Sequence, residues 1–204
     1  MNTSFRHSLV TFDTSDPQIQ AAVADVHQTH RLVMSGFRIG AEEGTPRAGR
    51  NVLYTARTVG TTLQLLVQAD EPGRWDHPAL VDMKSWEVPV PAGWALFQIT
   101  VVPALNSSGR GDGLRRRPIN DLSGQLAWLR GRLEKGGARL GQVDRMSVGR
   151  IMSATKDTGP FSQPTATFAG RLAVTDLVEF WHMMRHGVGP GKAYGCGLLL
   201  TRPA

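Results

Sequence analysis

The chain has 204 residues, 41% apolar and 20% charged, which is enough for one large domain or two of about 100 residues and too apolar for disorder. Its net charge is +6, yet residues 1–92 hold 8 basic and 10 acidic side chains while residues 93–204 hold 15 and 7, so the whole excess sits in the second half. No apolar run of about 18 residues exists to span a membrane, the N-terminus lacks the layout of a secretory signal, and one cysteine permits no internal disulfide, so a reducing, cytoplasmic setting is expected.

In chain order, residues 4–12 read as a strand. Asp16-Pro17 is a helix start, and apolar residues at helical spacing (Ile19, Val23, Val26, Leu32, Val33) predict one helix running to about Phe37. Residues 51–57 and 62–69 form a hairpin around Gly60. Residues 75–84 are a weak helix or irregular, and VPVPAGW is a linker. Residues 95–105 are the next strand, followed by the basic loop NSSGRGDGLRRRP. Residues 119–137 are an amphipathic helix with Leu122, Leu126, Leu129 and Leu133 on one stripe. Strands follow near 144–154 and 164–173, then a helix over 175–187 capped by Thr175 or Asp176, then a strand over 193–201. Each half therefore reads strand–helix–strand–strand–helix–strand. The expected fold is α+β, two tandem ferredoxin-like (RRM-like, βαββαβ) domains over 1–92 and 93–204.

The densest motif is GVGPGKAYGCGLL, with Gly187, Gly189, Gly191, Gly195 and Gly197 between the last helix and the last strand. Such a run can expose N–H groups to a phosphate beside Lys192, or can form a tight turn packing helix on sheet. It is not a Walker loop. Ala193 follows Lys192 where Ser or Thr is required, and the helix precedes the strand.

Gly187-Val-Gly189 followed after five residues by Gly195-Cys-Gly197 resembles the C-terminal glycine-rich loop of CRISPR-associated RNA-processing endoribonucleases. FAGRLAVTD…RHGVGPGKAYGCGLLLT is similar to the CasE family of subtype I-E systems. THRLV on the first helix, the LFQITVVPALN strand and the QLAWLRGRLEKGGARL helix keep the family's order. The resemblance is weakest over residues 71–92. It implies two ferredoxin-like domains and a metal-independent endoribonuclease without cofactor. Such an enzyme cuts CRISPR repeat RNA at the 3′ base of its stem-loop by 2′-hydroxyl attack, leaving a 2′,3′-cyclic phosphate. It then stays bound as a subunit of the type I-E surveillance complex. The alternative is a tandem ferredoxin-like RNA-binding subunit that does not cleave.

His30 matches the family's catalytic histidine, and His27 stands where some relatives carry tyrosine. At i and i+3 the two share a helix face and can divide acid and base roles. Some relatives have lysine where Ser35 stands, which leaves charge stabilisation to Arg31 or Arg38. His182 and His186 have chelate spacing but lack the glutamate of a zinc helix and a third ligand, so no metal is expected. Arg110, Arg115, Arg116 and Arg117 form the tightest basic cluster and suit phosphates. Lys156 resembles, thinly, the family's RNA-contacting hairpin. Arg130, Arg132 and Arg139 fit a solvated face.

Overall fold

The structure, a computed structural model, describes residues 4–37, 50–107, 115–153 and 159–204. The first half contains β1 (Ser4–Asp13), α1 (Pro17–Ala24), α2 (Val26–Ser35), β2 (Leu53–Val59), β3 (Thr62–Ala69) and β4 (Leu80–Pro89). The second contains β5 (Trp94–Val101), β6 (Ala104–Ser107), β7 (Arg115–Pro118), α3 (Leu122–Lys135), β8 (Ala138–Ser153), β9 (Phe161–Val174), α4 (Leu177–His186), a 3-10 turn (Lys192–Tyr194) and β10 (Leu199–Pro203).

The strands make two four-stranded antiparallel sheets, ordered β2-β3-β1-β4 and β10-β5-β9-β8. Numbered within each sheet, both follow the ferredoxin-like order, with the first strand between the third and fourth. Alternation explains which face each strand buries. On β5, Ala95, Phe97, Ile99 and Val101 turn to the core, while Trp94 and Gln98 face out. They pack with Leu129 and Leu133 of α3, Phe168 and Leu172 of β9, and Phe180 and Met184 of α4. The first core gathers Val10, Phe12, Ile19, Val33, Leu63, Leu65, Val67 and Trp75.

Several local readings need correction or sharpening. The helix expected over 18–37 is two helices, because Asp25 is extended (φ −140°, ψ 126°) and its carboxylate caps α2 by accepting the His27 N–H at 2.7 Å. Of the two readings of 75–84, the helix does not form: the start of the stretch is irregular and β4 begins at Leu80. Pro72, Gly73 and Pro78 break that stretch, and Trp75 packs in its place, donating its indole N–H to the Leu32 carbonyl at 2.9 Å. Part of the basic loop is paired, with Leu105 opposite Arg117 in the β6–β7 ribbon. The last strand starts at Leu199 rather than 193, because three of the preceding residues, Gly191, Gly195 and Gly197, have positive φ. Of the α3 stripe, Leu129 and Leu133 are fully buried and Leu126 partly so, but Leu122 is 60% exposed at the helix's first turn. Asp176, not Thr175, caps α4.

Contacts join the two sheets. Phe5 of β1 belongs to the second core and stacks on Trp181. His7 Nε2 lies 3.2 Å from Gln68 Oε1, and the Gln68 amide donates to the Met184 carbonyl at 2.9 Å.

Candidate ribonuclease site

Helix α2 carries His27 on its first turn and His30 on the next, both half-buried. The glycine-rich loop lies against this helix. Tyr194, in its 3-10 turn, meets the His27 ring edge-on at 5.1 Å, and Phe161 at the start of β9 meets it at 5.6 Å. Phe161 and Tyr194 also touch each other, at 5.0 Å. His27 Nε2 is shielded by this packing and has no hydrogen-bond partner among the described residues. Ser153, ending β8, donates to both Asp25 carboxylate oxygens at 3.2 and 3.0 Å. The connected end of the β8–β9 hairpin is thus tied to the start of the histidine helix. Beside it, Val26, Thr29, Tyr54, Ile151, Tyr194 and Cys196 help line a cavity of about 320 Å³.

The loop's five glycines all have φ between +74° and +84°. At two of them the close approach is clear. A Cβ on Gly189 would stand 2.6 Å from the Trp128 indole, and one on Gly187 would stand 2.8 Å from Leu53. Their Cβ sides face protein, which is the geometry of a tight packing turn. Tyr54 pins the turn by donating to the Ala193 carbonyl at 2.7 Å, and the Gly197 N–H donates to Thr100 at 2.7 Å. Lys192 opens the 3-10 turn that packs on α2, half-buried near the histidines. Burial pushes the Cys196 thiol up to about 12.

Other candidates are spread more widely. Arg31 is exposed on α2, and Arg117 is exposed on β7. Arg115 and Arg116 lie on the backbone of β7, with their side chains outside the described set. Arg38, Arg110 and Lys156 lie outside the described residues, although Lys156 belongs to the connection between Ser153 and Phe161. His182 and His186 stack 6.2 Å apart, and His186 Nδ1 lies 3.1 Å from Asn51 Oδ1. Ser35 hydrogen-bonds the Leu32 carbonyl. Arg132 sits over the Trp128 ring at 5.2 Å. Sequence reasoning missed Asp25, Ser153, Phe161 and Tyr194. Asp25 alone carried a signal, as a capping residue before a second run of helix formers.

The family model described as "CRISPR associated protein" matches residues 7–203. The chain belongs to that family. It is 29% identical over 198 residues to the CRISPR-associated endoribonuclease Cse3 of Thermus thermophilus, covering 89% of this chain and 92% of the relative. Its fold matches that of CRISPR endoribonuclease Cse3 bound to a 19-nucleotide RNA, with a TM-score of 0.81, full coverage of both chains and 22% identity. A chain of a CRISPR RNA-guided surveillance complex matches with a TM-score of 0.71 over 98% of this chain and all of its own, at 20% identity. Tandem ferredoxin-like architecture is therefore a property the chain shares with this family.

Proposed function

We propose that this protein is a metal-independent endoribonuclease that matures CRISPR RNA. It cuts repeat RNA at the 3′ base of a stem-loop and remains on the product as a subunit of the type I-E surveillance complex. The observation that carries this reading is the placement of His27, with His30 one turn further along α2, where α2, the glycine-rich turn and the end of the β8–β9 hairpin converge, within a family whose relatives include a named endoribonuclease. The division of the chain near residues 92 and 93, between β4 and β5, then separates duties. The first half supplies the histidines and the basic second half grips RNA.

In the reaction, the 2′-hydroxyl oxygen bonds to the adjacent phosphorus as the bond from phosphorus to the 5′-oxygen breaks. A base takes the 2′-hydroxyl proton, an acid protonates the departing 5′-oxygen, and the product ends in a 2′,3′-cyclic phosphate. Histidine suits both proton transfers near neutrality. We assign one role to His30 and the other to His27, whose shielded Nε2 gains access to RNA when Phe161 shifts at the hairpin end. We place Lys192 and Arg31 on the phosphorane charge. Arg110 and Arg115–Arg117 hold the stem's phosphates, with Lys156 at the hairpin.

The test is cleavage of the repeat RNA with and without EDTA. The wild-type protein is expected to cut in EDTA and leave a cyclic-phosphate end. His30→Ala should lose at least about 100-fold in single-turnover rate while still binding the stem-loop. Full activity in His30→Ala overturns the site, and binding without any cutting by the wild type returns the protein to a non-cleaving RNA-binding subunit.

A further inference from the structure

The helices α3 and α4 cover one face of the second sheet; the other face meets α1 and α2 at its Thr100 end, and over Trp94–Gln98 no helix covers it among the described residues. Cross-strand register arranges what lies on it. On β10, β5 and β9, Arg202, Leu96 and Arg171 stand side by side. One step along, Leu200, Gln98, Ala169 and Arg145 form the next row across all four strands. In the opposite direction lie Trp94 and Ala173, with Arg139 beyond them on β8. All four arginines are exposed. None is in an ion pair among the described residues. A groove of about 390 Å³ runs over Leu96, Gln98, Arg145, Leu200 and Arg202. Asp144, carried where β8 shifts register, is the one carboxylate on its described lining.

We infer that this open sheet face is a second RNA site, distinct from the histidine cleft, which takes a single-stranded segment flanking the stem-loop. Charge complementarity selects the occupant. Four guanidiniums around a shallow, mostly neutral floor match a chain of phosphates, and guanidiniums also stack on unpaired bases. Trp94 is 54% exposed, with its ring edge against Gly141, and offers one base a stacking surface at the end of the row. A duplex is a poor fit, because stacking on Trp94 needs an unpaired base and a stem presents its phosphates to a cleft or ridge rather than a flat sheet. The assignment to a flanking segment rests on the processing function proposed above. The site itself does not.

The test compares three RNAs on the full-length protein by fluorescence anisotropy. They are an unstructured single strand, the trimmed stem-loop, and the stem-loop with its single-stranded flanks. The variant is Arg145→Ala/Arg171→Ala/Arg202→Ala, whose sites are exposed, and Trp94→Ala is made separately. The triple variant should bind the unstructured strand at least about tenfold more weakly, with a log–log salt slope shallower by about 2, as expected for three lost phosphate contacts on a single strand. It should lose the extra affinity that flanks confer and keep wild-type affinity and cleavage for the trimmed stem-loop. Trp94→Ala should weaken the unstructured strand and leave the salt slope unchanged. Unaltered binding of the unstructured strand by the triple variant overturns the site. An equal loss on the trimmed stem-loop also overturns it, by making the face part of the stem grip. A wild-type protein that binds the single strand through these arginines but neither binds nor cuts the stem-loop leaves this site standing and overturns the processing function.

Discussion

Gly189 shows how one atom can set the position of a site. Its φ of +75° already disfavours any side chain, and a Cβ there would meet Trp128 at 2.6 Å. Trp128 is itself held by its N–H bond to the Ala104 carbonyl at 3.0 Å and by Arg132 over its ring, so it cannot move aside cheaply. Gly189→Ala is expected to cost about 2–3 kcal/mol, from the left-handed backbone and the clash together. In a chain of this length that lowers the melting temperature by about 4–12 °C, measurable by thermal unfolding. Cys196 makes a contrasting case. It is 1% exposed, and its thiol is raised to about 12, so little thiolate forms at pH 8. Iodoacetamide should leave it unmodified in the native protein and label it readily in urea. Rapid native labelling would show that the glycine turn opens.

At the scale of elements, Asp25 is the joint on which the site turns. It ends α1 by donating its N–H to the Ala21 carbonyl, caps α2, and receives Ser153 from the far half of the chain. Asp25→Ala removes a cap worth about 1 kcal/mol and leaves Ser153 without its carboxylate. We expect a total loss of about 2 kcal/mol in urea unfolding and a drop in cleavage rate larger than in RNA affinity, since α2 aims both histidines. Asp25→Asn keeps the capping oxygen and should retain most of the activity. Sequence periodicity revealed helix over α1 and α2 together, the β2–β3 hairpin and most strands in their order along the chain, because each depends on spacing within a few residues. His30 was marked by another route, the likeness of the string THRLV to the family's histidine helix. Asp25 left a local signal as a capping residue, but the apolar spacing through Val23 and Val26 continues across it, so periodicity ran the two helices together. Phe161 and Tyr194 were illegible for a different reason. They reach His27 from 134 and 167 positions away, across an interface that only the folded sheets create.

The whole molecule is two sheets whose mutual contacts include titratable groups, so its stability should depend on pH through that interface. His7 is buried between Gln68 and Trp86. Burial lowers its pKa, and the hydrogen bond it donates to the Gln68 amide oxygen only partly offsets that. His186, beside Asn51, is lowered by burial and then by the charges of Arg185, His182 and Lys192, against the opposing pull of Asp70. A histidine whose folded pKa lies below its unfolded value of about 6.5 binds its proton first in the unfolded chain. Stability should therefore be full at pH 7.5 and fall as pH drops below about 6.5, until the folded pKa values are reached. Each group contributes a slope of at most about 1.4 kcal/mol per pH unit. Asp70 acts lower on the scale. Burial pushes its carboxyl up, but the hydrogen bonds from Arg185 and Asn51, with the charges of Arg185 and His186, outweigh this and hold it below the ordinary carboxylate value. Its contribution is present above about pH 4 and is lost as pH falls through the folded value. The pair is about one-third exposed, so that contribution is under about 1 kcal/mol. Urea midpoints at pH 7.5, 6.5 and 5.5 check the sign. The wild type should change little between pH 7.5 and 6.5 and weaken clearly between 6.5 and 5.5. His7→Gln should weaken less steeply, whatever its stability at pH 7.5, because one of the two protons is no longer taken up on unfolding. A midpoint that rises on acidification would mean that the buried imidazoles are stabilised as cations, and that the contacts joining the two sheets carry a carboxylate partner for them.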